Sequence, residues 1–243
     1  MNKAIQQYLE KHGFGQFSPK AVLFAMDGVI YDSMSNHSVS WHESMKDYHL
    51  DMPYEGAYEY EGMRGVETIK LLARQQWQRE LSDDEAKEMY AHKAELFARQ
   101  CGLTPARIMP GIKTLMQQIK ADGLKICVVT GSAQHALLDK LLIDFDGLLS
   151  EELIVTAFDV KHGKPNPEPY LKGMEKCGLQ PWESIVVENA PLGTRAAVAA
   201  QCFTIAVNTG PLPDERLKRE GANLIFPTMQ SLSDSWPHLI SQL

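Results

Sequence analysis

The stretch from Val22 to Ile30, Val-Leu-Phe-Ala-Met-Asp-Gly-Val-Ile, constrains the fold of this chain more than any other. It begins with an apolar run that has the length of a buried strand. The run reaches Asp27 and then Gly28, a common way for a buried parallel strand to give way to a loop. Ligands of open α/β sheets bind at that edge. The stretch therefore predicts a parallel sheet with a polar site where its first strand ends.

Further short apolar runs alternate with helical patterns along the rest of the chain. Amphipathic helices such as Ile112–Ala121 and Glu168–Cys177 separate these runs. The predicted strands cover residues 124–129, 184–188, 203–207 and 223–226, and residues 152–160 hold a further short strand. Strands that alternate with helices form mostly parallel sheets. The predicted fold class is therefore α/β, with a Rossmann-like, doubly wound parallel sheet.

A long helical segment interrupts this alternation after the first strand. From residue 36 to residue 104 the patterns are helical throughout, and no strand-like run occurs. Because the segment lies between the first and second predicted strands, we interpret it as an inserted helical cap. The predicted domains are a core of residues 1–35 and 105–243 and a cap of residues 36–104.

Composition and charge narrow the classes of partner. The formal net charge is −7, and no block of like charges occurs. This argues against nucleic acid or an anionic membrane as partner, and no apolar run has the length of a membrane span or signal peptide. The four cysteines lack metal-type spacing, which favours reduced thiols in a cytoplasmic protein. A small phosphorylated substrate stays compatible, because the charge of a site can oppose the net charge.

Four loops follow four of the predicted strands, and together they resemble the four motifs of the haloacid dehalogenase superfamily of phosphatases and phosphomutases. The loops are Ala25-Met26-Asp27-Gly28, Thr130-Gly131-Ser132, Gly163-Lys164-Pro165 and Glu188-Asn189. The resemblance implies Mg²⁺-dependent phosphoryl transfer to water through an aspartyl-phosphate. It also implies that Asp27 protonates the leaving group and later activates water, while its backbone carbonyl binds Mg²⁺.

Ala25 stands where the superfamily has its nucleophilic aspartate. Residues i and i+2 of an extended chain face the same side, so carboxylates at positions 25 and 27 would reach one phosphoryl group. A methyl group cannot attack phosphorus, and loss of a covalent nucleophile costs about 10⁴- to 10⁶-fold in rate. Two interpretations stay open. One is an engineered Asp→Ala replacement in an otherwise intact enzyme, which the other motifs favour; the other is a natural pseudoenzyme that binds a phosphorylated ligand.

The second and third motifs offer groups for a phosphate. The Thr130 hydroxyl and the N–H groups of Gly131 and Ser132 precede a predicted helix, where a phosphate oxygen is well placed. Helix capping by Ser132 is compatible with this role. Lys164 matches the lysine of the third motif, whose ammonium offsets the negative charge of the nucleophile and the phosphoryl oxygens. The alternative for Lys164 is a solvated loop lysine.

The fourth motif departs from the two acidic residues that are usual in the superfamily. Mg²⁺ prefers hard oxygen ligands, and Asn189 offers a carbonyl oxygen but no charge. Glu61, in the predicted cap, could supply the missing carboxylate; the alternative is a solvated loop acid. The resemblance therefore implies four Mg²⁺ ligands, namely Asp27, Glu61, Glu188 and Asn189.

The cap loop narrows the resemblance to the β-phosphoglucomutase-like branch. Five stretches narrow it further, to bacterial inorganic pyrophosphatases: Glu61-Gly62, Val155–Val160, Gly163–Tyr170, Glu188–Gly193 and Thr204–Leu212. In that group a cap glutamate and a fourth-motif asparagine belong to the metal site, as the pairing of Glu61 with Asn189 would require. Arg64 and Lys93 are candidates for binding the distal phosphate. Lys93 lies on a charged helix face, where a solvated side chain is the simpler interpretation. His37 is either a substrate or cap-hinge contact or a helix-packing histidine.

We therefore expect a Mg²⁺-dependent phosphohydrolase, first of all an inorganic pyrophosphatase, that is inactive or strongly impaired because of Ala25. A cap carboxylate at the metal would shorten the site, which suits pyrophosphate better than a sugar phosphate. One alternative is a β-phosphoglucomutase-like mutase or phosphatase. The other is a non-catalytic module that binds a phosphorylated ligand.

One position outside the motifs also departs from expectation. Gln201 follows an Ala-rich helix at a place where glycine would be natural. If its backbone is left-handed, glutamine costs about 1 kcal/mol relative to glycine. Such a residue indicates a sequence that was altered or has drifted away from its family.

Overall fold

The computed structural model describes residues 2–131 and 135–242, and of residues 135–137 it describes the backbone alone. The strands are β1 (Ala21–Phe24), β2 (Tyr31–Asp32), β3 (Arg107–Ile108), β4 (Lys125–Val129), β5 (Ile154–Val155), β6 (Ser184–Glu188), β7 (Phe203–Val207) and β8 (Leu224–Phe226). The helices are α1 (Asn2–His12), α2 (Met34–Asp47), α3 (Gly56–Glu59), α4 (Gly65–Trp77), α5 (Asp83–Leu103), α6 (Ile112–Ala121), α7 (His135–Asp144), α8 (Glu168–Cys177), α9 (Pro191–Ala199), α10 (Asp214–Arg219) and α11 (Met229–Ile240).

A parallel sheet forms the centre of the molecule. In the described part of the chain its six strands lie in the order β5-β4-β1-β6-β7-β8. Phe24 of β1 is in register with Val128 of β4 on one side and with Val187 of β6 on the other. Both faces of β1 are buried, which explains its continuous apolar run. The predicted α/β, Rossmann-like fold class is confirmed, and the loops after β1, β4 and β6 open at one edge.

The alternation of side chains along β1 divides the core into two layers. Val22 and Phe24 pack with residues of α6 and α11 on one face of the sheet. Ala21 and Leu23 pack with residues of α8 and α9 on the opposite face. Because β1 is buried from both sides, the backbone that leads into the first motif is rigidly placed.

The helices α2 to α5 form the cap that was predicted after the first strand. Trp41, Ile69 and Met89 belong to a hydrophobic cluster of their own. The chain enters and leaves the cap through β2 and β3, which pair as an antiparallel ribbon with Tyr31 opposite Ile108. The sequence did not indicate this ribbon, because two residues per strand are too short to show a period. We propose the domain boundaries at the predicted positions beside it, 35/36 and 104/105.

Three smaller expectations have different outcomes. The short strand predicted within residues 152–160 is Ile154–Val155, and it ends where the Asp159 carboxylate accepts the N–H and hydroxyl of Thr156 and turns the chain. Gln201 does adopt a left-handed backbone, with φ of 63°. None of the helices among the described residues has the length and apolarity needed to cross a bilayer.

Candidate active site

Two adjoining cavities lie where the ends of β1, β4 and β6 meet the cap. The inner one, of about 10 Å³, is lined among others by Ala25, Asp27, Glu61, Thr130, Gly131, Lys164, Glu188 and Asn189. The outer one, of about 40 Å³, shares Asp27 and Glu61 and adds His37, Trp41, Tyr90 and Lys93. Most of the residues predicted for the site are thus gathered around one small space. Arg64 is not among the described residues that line either cavity, and Ser132 lies outside the described residues.

The first-motif loop is held by its own backbone and by glycine. The N–H of Ala25 donates to the carbonyl of Val187 at 3.0 Å and so extends the β1–β6 pairing by one residue. Gly28 has φ of 73°, and a Cβ there would lie 2.0 Å from Asn189 Nδ2. Only glycine permits this turn and this close approach. The first and fourth motifs are therefore packed directly against each other.

Asp27 is fixed by a serine whose role the sequence did not reveal. The Ser33 hydroxyl donates to Asp27 Oδ1 at 2.5 Å, and both residues are buried. A serine just before a helix normally caps it, but Ser33 makes no cap hydrogen bond with α2. Its hydroxyl instead holds the carboxylate of Asp27, which lines both cavities. A serine six residues after the motif could equally be a cap, so the sequence carried no signal for this contact.

A histidine and a lysine from the cap complete the surroundings of Asp27. His37 Nε2 lies 3.3 Å from Asp27 Oδ1, and Lys93 Nζ lies 2.9 Å from His37 Nδ1. Lys93 is only 2% exposed and lies over the rings of Trp41 and Phe97. The interpretation of Lys93 as a solvated lysine is therefore wrong. The reason is that α5 turns this one ammonium inwards, away from the charged face that dominates its sequence.

Burial and neighbouring charges set the ionisation of these groups. Burial, helped by the charge of Lys93, lowers the pKa of His37, so the imidazole is neutral near pH 7. Burial also lowers the pKa of Lys93, to about 8. Burial alone would raise the pKa of Asp27, but His37 and Ser33 outweigh it and hold the pKa below its usual value. At neutral pH Asp27 is thus a carboxylate beside a neutral imidazole.

Lys164 and Glu188 form a buried ion pair on the opposite wall. Lys164 Nζ donates to Glu188 Oε1 at 2.6 Å, and the Tyr170 hydroxyl donates to the same oxygen. Glu188 Oε2 accepts the backbone N–H of Asn189 and, more weakly, that of Ala190. Lys164 is 4% exposed, so it is not a solvated loop lysine. Tyr170 was missed as a site residue, although it lies in the stretch that carried the resemblance to pyrophosphatases.

Glu61 reaches the site from the cap loop between α3 and α4. Burial of its carboxyl, together with the negative charge of Asp27, raises the pKa of Glu61 to about 8, although Lys164 and Lys93 act in the opposite direction. Two carboxyl groups that share a small space do not ionise together easily unless a cation joins them. The position of Glu61 therefore favours a bound cation between the cap and the core.

The donor set fits Mg²⁺. In the described part of the chain no donor reaches the buried Oδ1 of Asn189, so this carbonyl oxygen is available. The inner cavity of about 10 Å³ holds roughly one ion or water. Over the same residues, no three His, Cys, Asp or Glu side chains converge closely enough to hold a metal alone. A Mg²⁺ site would therefore draw on Asn189 as well as on Asp27 and Glu61, while Glu188, with both oxygens already engaged, would orient the others.

The remaining predicted residues lie around this centre in different ways. Thr130 is buried at the end of β4, and its N–H donates to the Val155 carbonyl at 2.9 Å. A Cβ on Gly131 would lie 3.3 Å from the Gly62 carbonyl of the cap. Arg64 Nη1 donates to the carbonyl of Lys161 at 2.5 Å, so its guanidinium is engaged at the rim. Its binding of a distal phosphate stays a prediction.

Comparison with known proteins places these motifs in a family. The family model described as haloacid dehalogenase-like hydrolase matches residues 22–207. Hexitol phosphatase A of Escherichia coli is 27% identical over 88% of this chain and 93% of its own length. Beta-phosphoglucomutase of Bacillus subtilis is 26% identical over 89% and 95%. The matched region contains all four motifs and the inserted cap.

A solved structure from Bacteroides vulgatus, which carries the provisional name beta-phosphoglucomutase, is 47% identical to this chain. It superposes with a TM-score of 0.94 and covers 99% of this chain and 97% of its own. At this identity and coverage the likeness extends over core and cap together. The chain therefore belongs to the haloacid dehalogenase-like hydrolases, as its four loops predicted.

Proposed function

We propose that this protein is a Mg²⁺-dependent phosphohydrolase built for inorganic pyrophosphate, and that Ala25 disables its turnover. One observation carries the proposal. Glu61 of the cap closes over Asp27 and leaves an outer cavity of only about 40 Å³. Drug-sized ligands occupy pockets of about 300 Å³ or more. On the same measure the outer cavity would hold about three waters, so pyrophosphate requires less opening of the cap than a sugar phosphate does. Asp27, Glu61 and Lys93 place charges on its walls.

The chemistry of Asp27 follows from its surroundings. As an ionised carboxylate it can accept a proton from water, the second half of the expected reaction. To act as an acid in the first half it must carry a proton. An arriving phosphate anion would raise the pKa of Asp27 by charge repulsion, against the lowering effect of His37, Ser33 and Lys93. The same carboxyl group can therefore serve both steps.

The phosphoryl group would be received by the opposite wall. Lys164 offers its ammonium, which Glu188 holds in place while the Tyr170 hydroxyl donates to the same Glu188 oxygen. Thr130 and Gly131 offer polar groups at the end of β4. Bound Mg²⁺ would supply neutralisation of the phosphoryl oxygens. What is missing is a carboxylate at position 25, which lies at the inner cavity in line with β1. Without it no covalent phosphoryl intermediate can form.

A second candidate is a β-phosphoglucomutase-like mutase or phosphatase. The identity of 47% to the Bacteroides vulgatus structure and the Bacillus subtilis relative favour it. A sugar phosphate would require the cap to stand further from the core than Glu61 does here. A third candidate, a module that binds a phosphorylated ligand without turnover, is favoured by Ala25 itself.

The test is phosphate release with Mg²⁺ from pyrophosphate and from glucose 1-phosphate. Three proteins are compared: the chain as it is, Ala25→Asp, and Ala25→Asn as a control of equal size without a nucleophile. We expect Ala25→Asp to hydrolyse pyrophosphate at least about 10⁴-fold faster than the other two. Activity of Ala25→Asp on the sugar phosphate alone would replace the proposal by the second candidate. If none of the three folded proteins turns over either substrate, the third candidate, a module that binds a phosphorylated ligand, would be favoured.

A further inference from the structure

The chain after β7 forms a segment whose role the proposed chemistry does not use. We call residues Asn208–Arg216 the docking segment. Asn208 Nδ2 donates to the carbonyl of Leu212 at 2.9 Å and to Asp214 Oδ1 at 2.6 Å, which folds the segment on itself. The Thr209 hydroxyl donates to the carbonyl of Gly28 at 2.6 Å. The docking segment is therefore tied to the first-motif loop.

The other side of the docking segment meets the cap. Arg216, at its end, places Nε 3.0 Å from Glu59 Oε1 and donates from Nη2 to the second oxygen of the same carboxylate. A Cβ on Gly210 would lie 2.8 Å from the ring of Tyr58, so the ring rests on bare backbone. Tyr58 and Glu59 belong to α3 of the cap, whereas Arg216 belongs to α10 of the core, so the pair joins the two parts. A planar, two-bond pair of this kind fixes orientation as well as distance.

The loop that this pair holds is the one that carries Glu61. Glu59 ends α3, and Glu61 follows two residues later. On its far side the loop is held by Gly62, where a Cβ would lie 2.5 Å from Lys164 Cδ. Gly62 thus fixes one end of the loop against the third motif, and Glu59 fixes the other end against the docking segment. Glu61 is presented to the inner cavity between these two points.

We propose that Arg216 is a positioning residue that acts through Glu59 to place the Glu61 carboxylate in the active site. The importance of Glu61 for the reaction rests on the proposed function, whereas the docking of its loop does not. Because the docking segment also touches the first-motif loop, it gives the cap carboxylate a fixed distance from Asp27. The guanidinium and its carboxylate are each about one-third exposed, 34% and 33%. We therefore expect their loss to shift loop docking by about fivefold, not by orders of magnitude.

The cap itself contains a matched control. Arg74 forms the same two-bond contact with Glu80, but both residues belong to the cap. We would compare Arg216→Gln with Arg74→Gln by amide hydrogen exchange in the free, full-length chain. Arg216→Gln should speed exchange of residues 57–64 by about fivefold and leave β1 and β6 unchanged. Arg74→Gln should leave residues 57–64 unchanged. Equal exchange of that loop in both variants would overturn the proposal.

A second readout uses the Ala25→Asp protein. There Arg216→Gln should raise the Mg²⁺ concentration needed for half-maximal phosphate release by about fivefold, with less change in the maximal rate. Arg216→Lys should recover part of the effect, and the exchanged pair Glu59→Arg with Arg216→Glu should recover more. If Ala25→Asp does not turn over but Arg216→Gln still loosens the loop, the pyrophosphatase function fails and the docking stands. If Ala25→Asp turns over but Arg216→Gln and Arg74→Gln have the same effect on hydrogen exchange and on the Mg²⁺ requirement, the positioning role of Arg216 is wrong. The proposed function is then unaffected.

Discussion

Lys93 should stabilise the chain less than an uncharged side chain would, and this can be tested by replacing it with methionine. Its ammonium is almost completely buried in the cap, 2.9 Å from His37 Nδ1 and about 5 Å from two aromatic rings. Methionine has a similar length and suits such a site. We predict that Lys93→Met raises the free energy of unfolding at pH 7 while it lowers turnover in the Ala25→Asp protein.

The magnitude follows from the pKa of Lys93. Burial lowers it from 10.5 to about 8, a difference that corresponds to about 3 kcal/mol against the charged form in the folded state. Removal of the ammonium also leaves His37 Nδ1 without its donor, which costs about 1 kcal/mol. The net gain at pH 7 is therefore about 2 kcal/mol, or about 4 to 8 °C in Tm for a chain of this length.

The pH dependence gives the sharper test. Between pH 8 and 10.5 the unfolded chain keeps the proton on Lys93 while the folded chain has lost it. More protons on the unfolded state means that stability rises with pH. The free energy of unfolding of the unmodified chain should therefore rise relative to that of Lys93→Met above pH 8. The two should become equal by about pH 10. Urea unfolding at pH 7 and 9.5 measures this.

Lys87→Met is the control, because Lys87 is exposed on the same helix α5. Its effect should stay within about 0.5 kcal/mol at both pH values. The reasoning would be refuted if Lys93→Met were less stable than the unmodified chain at pH 7, or if the difference between them did not depend on pH. A stabilised but less active variant would show that the cap maintains this charge at the expense of stability.

Three further changes test other parts of the structure. Glu188→Gln removes the partner of the buried Lys164 and should cost about 3 to 5 kcal/mol in urea unfolding, and a loss below about 1 kcal/mol would contradict the buried pair. Gln201→Gly relieves the left-handed backbone at φ of 63° and should add about 1 kcal/mol, measured as a higher Tm. Asn189→Asp adds a negative charge at the proposed metal position and should tighten Mg²⁺ binding by about tenfold in titration calorimetry; unchanged binding would remove Asn189 from the site.

Much of the fold followed from the sequence because the signals were local and strong. The helices Ile112–Ala121 and Glu168–Cys177 and the strands Ser184–Glu188 and Phe203–Val207 have the predicted bounds. Each is either a clearly amphipathic helix or a buried apolar run. The ribbon β2–β3 could not be predicted, since its pairing joins residues that lie far apart in the chain.

For the candidate site, the sequence located the loops but not the contacts between them. Lys93 shows the limit, because it belongs to a helix that carries many exposed charged residues, and only the packing of α5 against α2 makes it a buried group. Ser33 shows another limit, because a residue that looks like a helix cap instead donates to Asp27 of the first-motif loop, six residues earlier. Side chains whose role depends on the position of the cap are those that a one-dimensional pattern does not reveal.

Charge balance indicates that the proposed site, with Ala25 in place of an aspartate, would still attract a phosphate anion. The site has three carboxylates, Asp27, Glu61 and Glu188, if Glu61 is counted as ionised beside a cation. They face the ammonium groups of Lys93 and Lys164. Their formal sum is −1, so a divalent cation brings the site to +1; an aspartate at position 25 would lower this to zero. The Ala25 site should therefore attract a phosphate anion more strongly than the complete one. A disabled enzyme and a binding module would thus share the same affinity, and only the return of turnover in Ala25→Asp separates them.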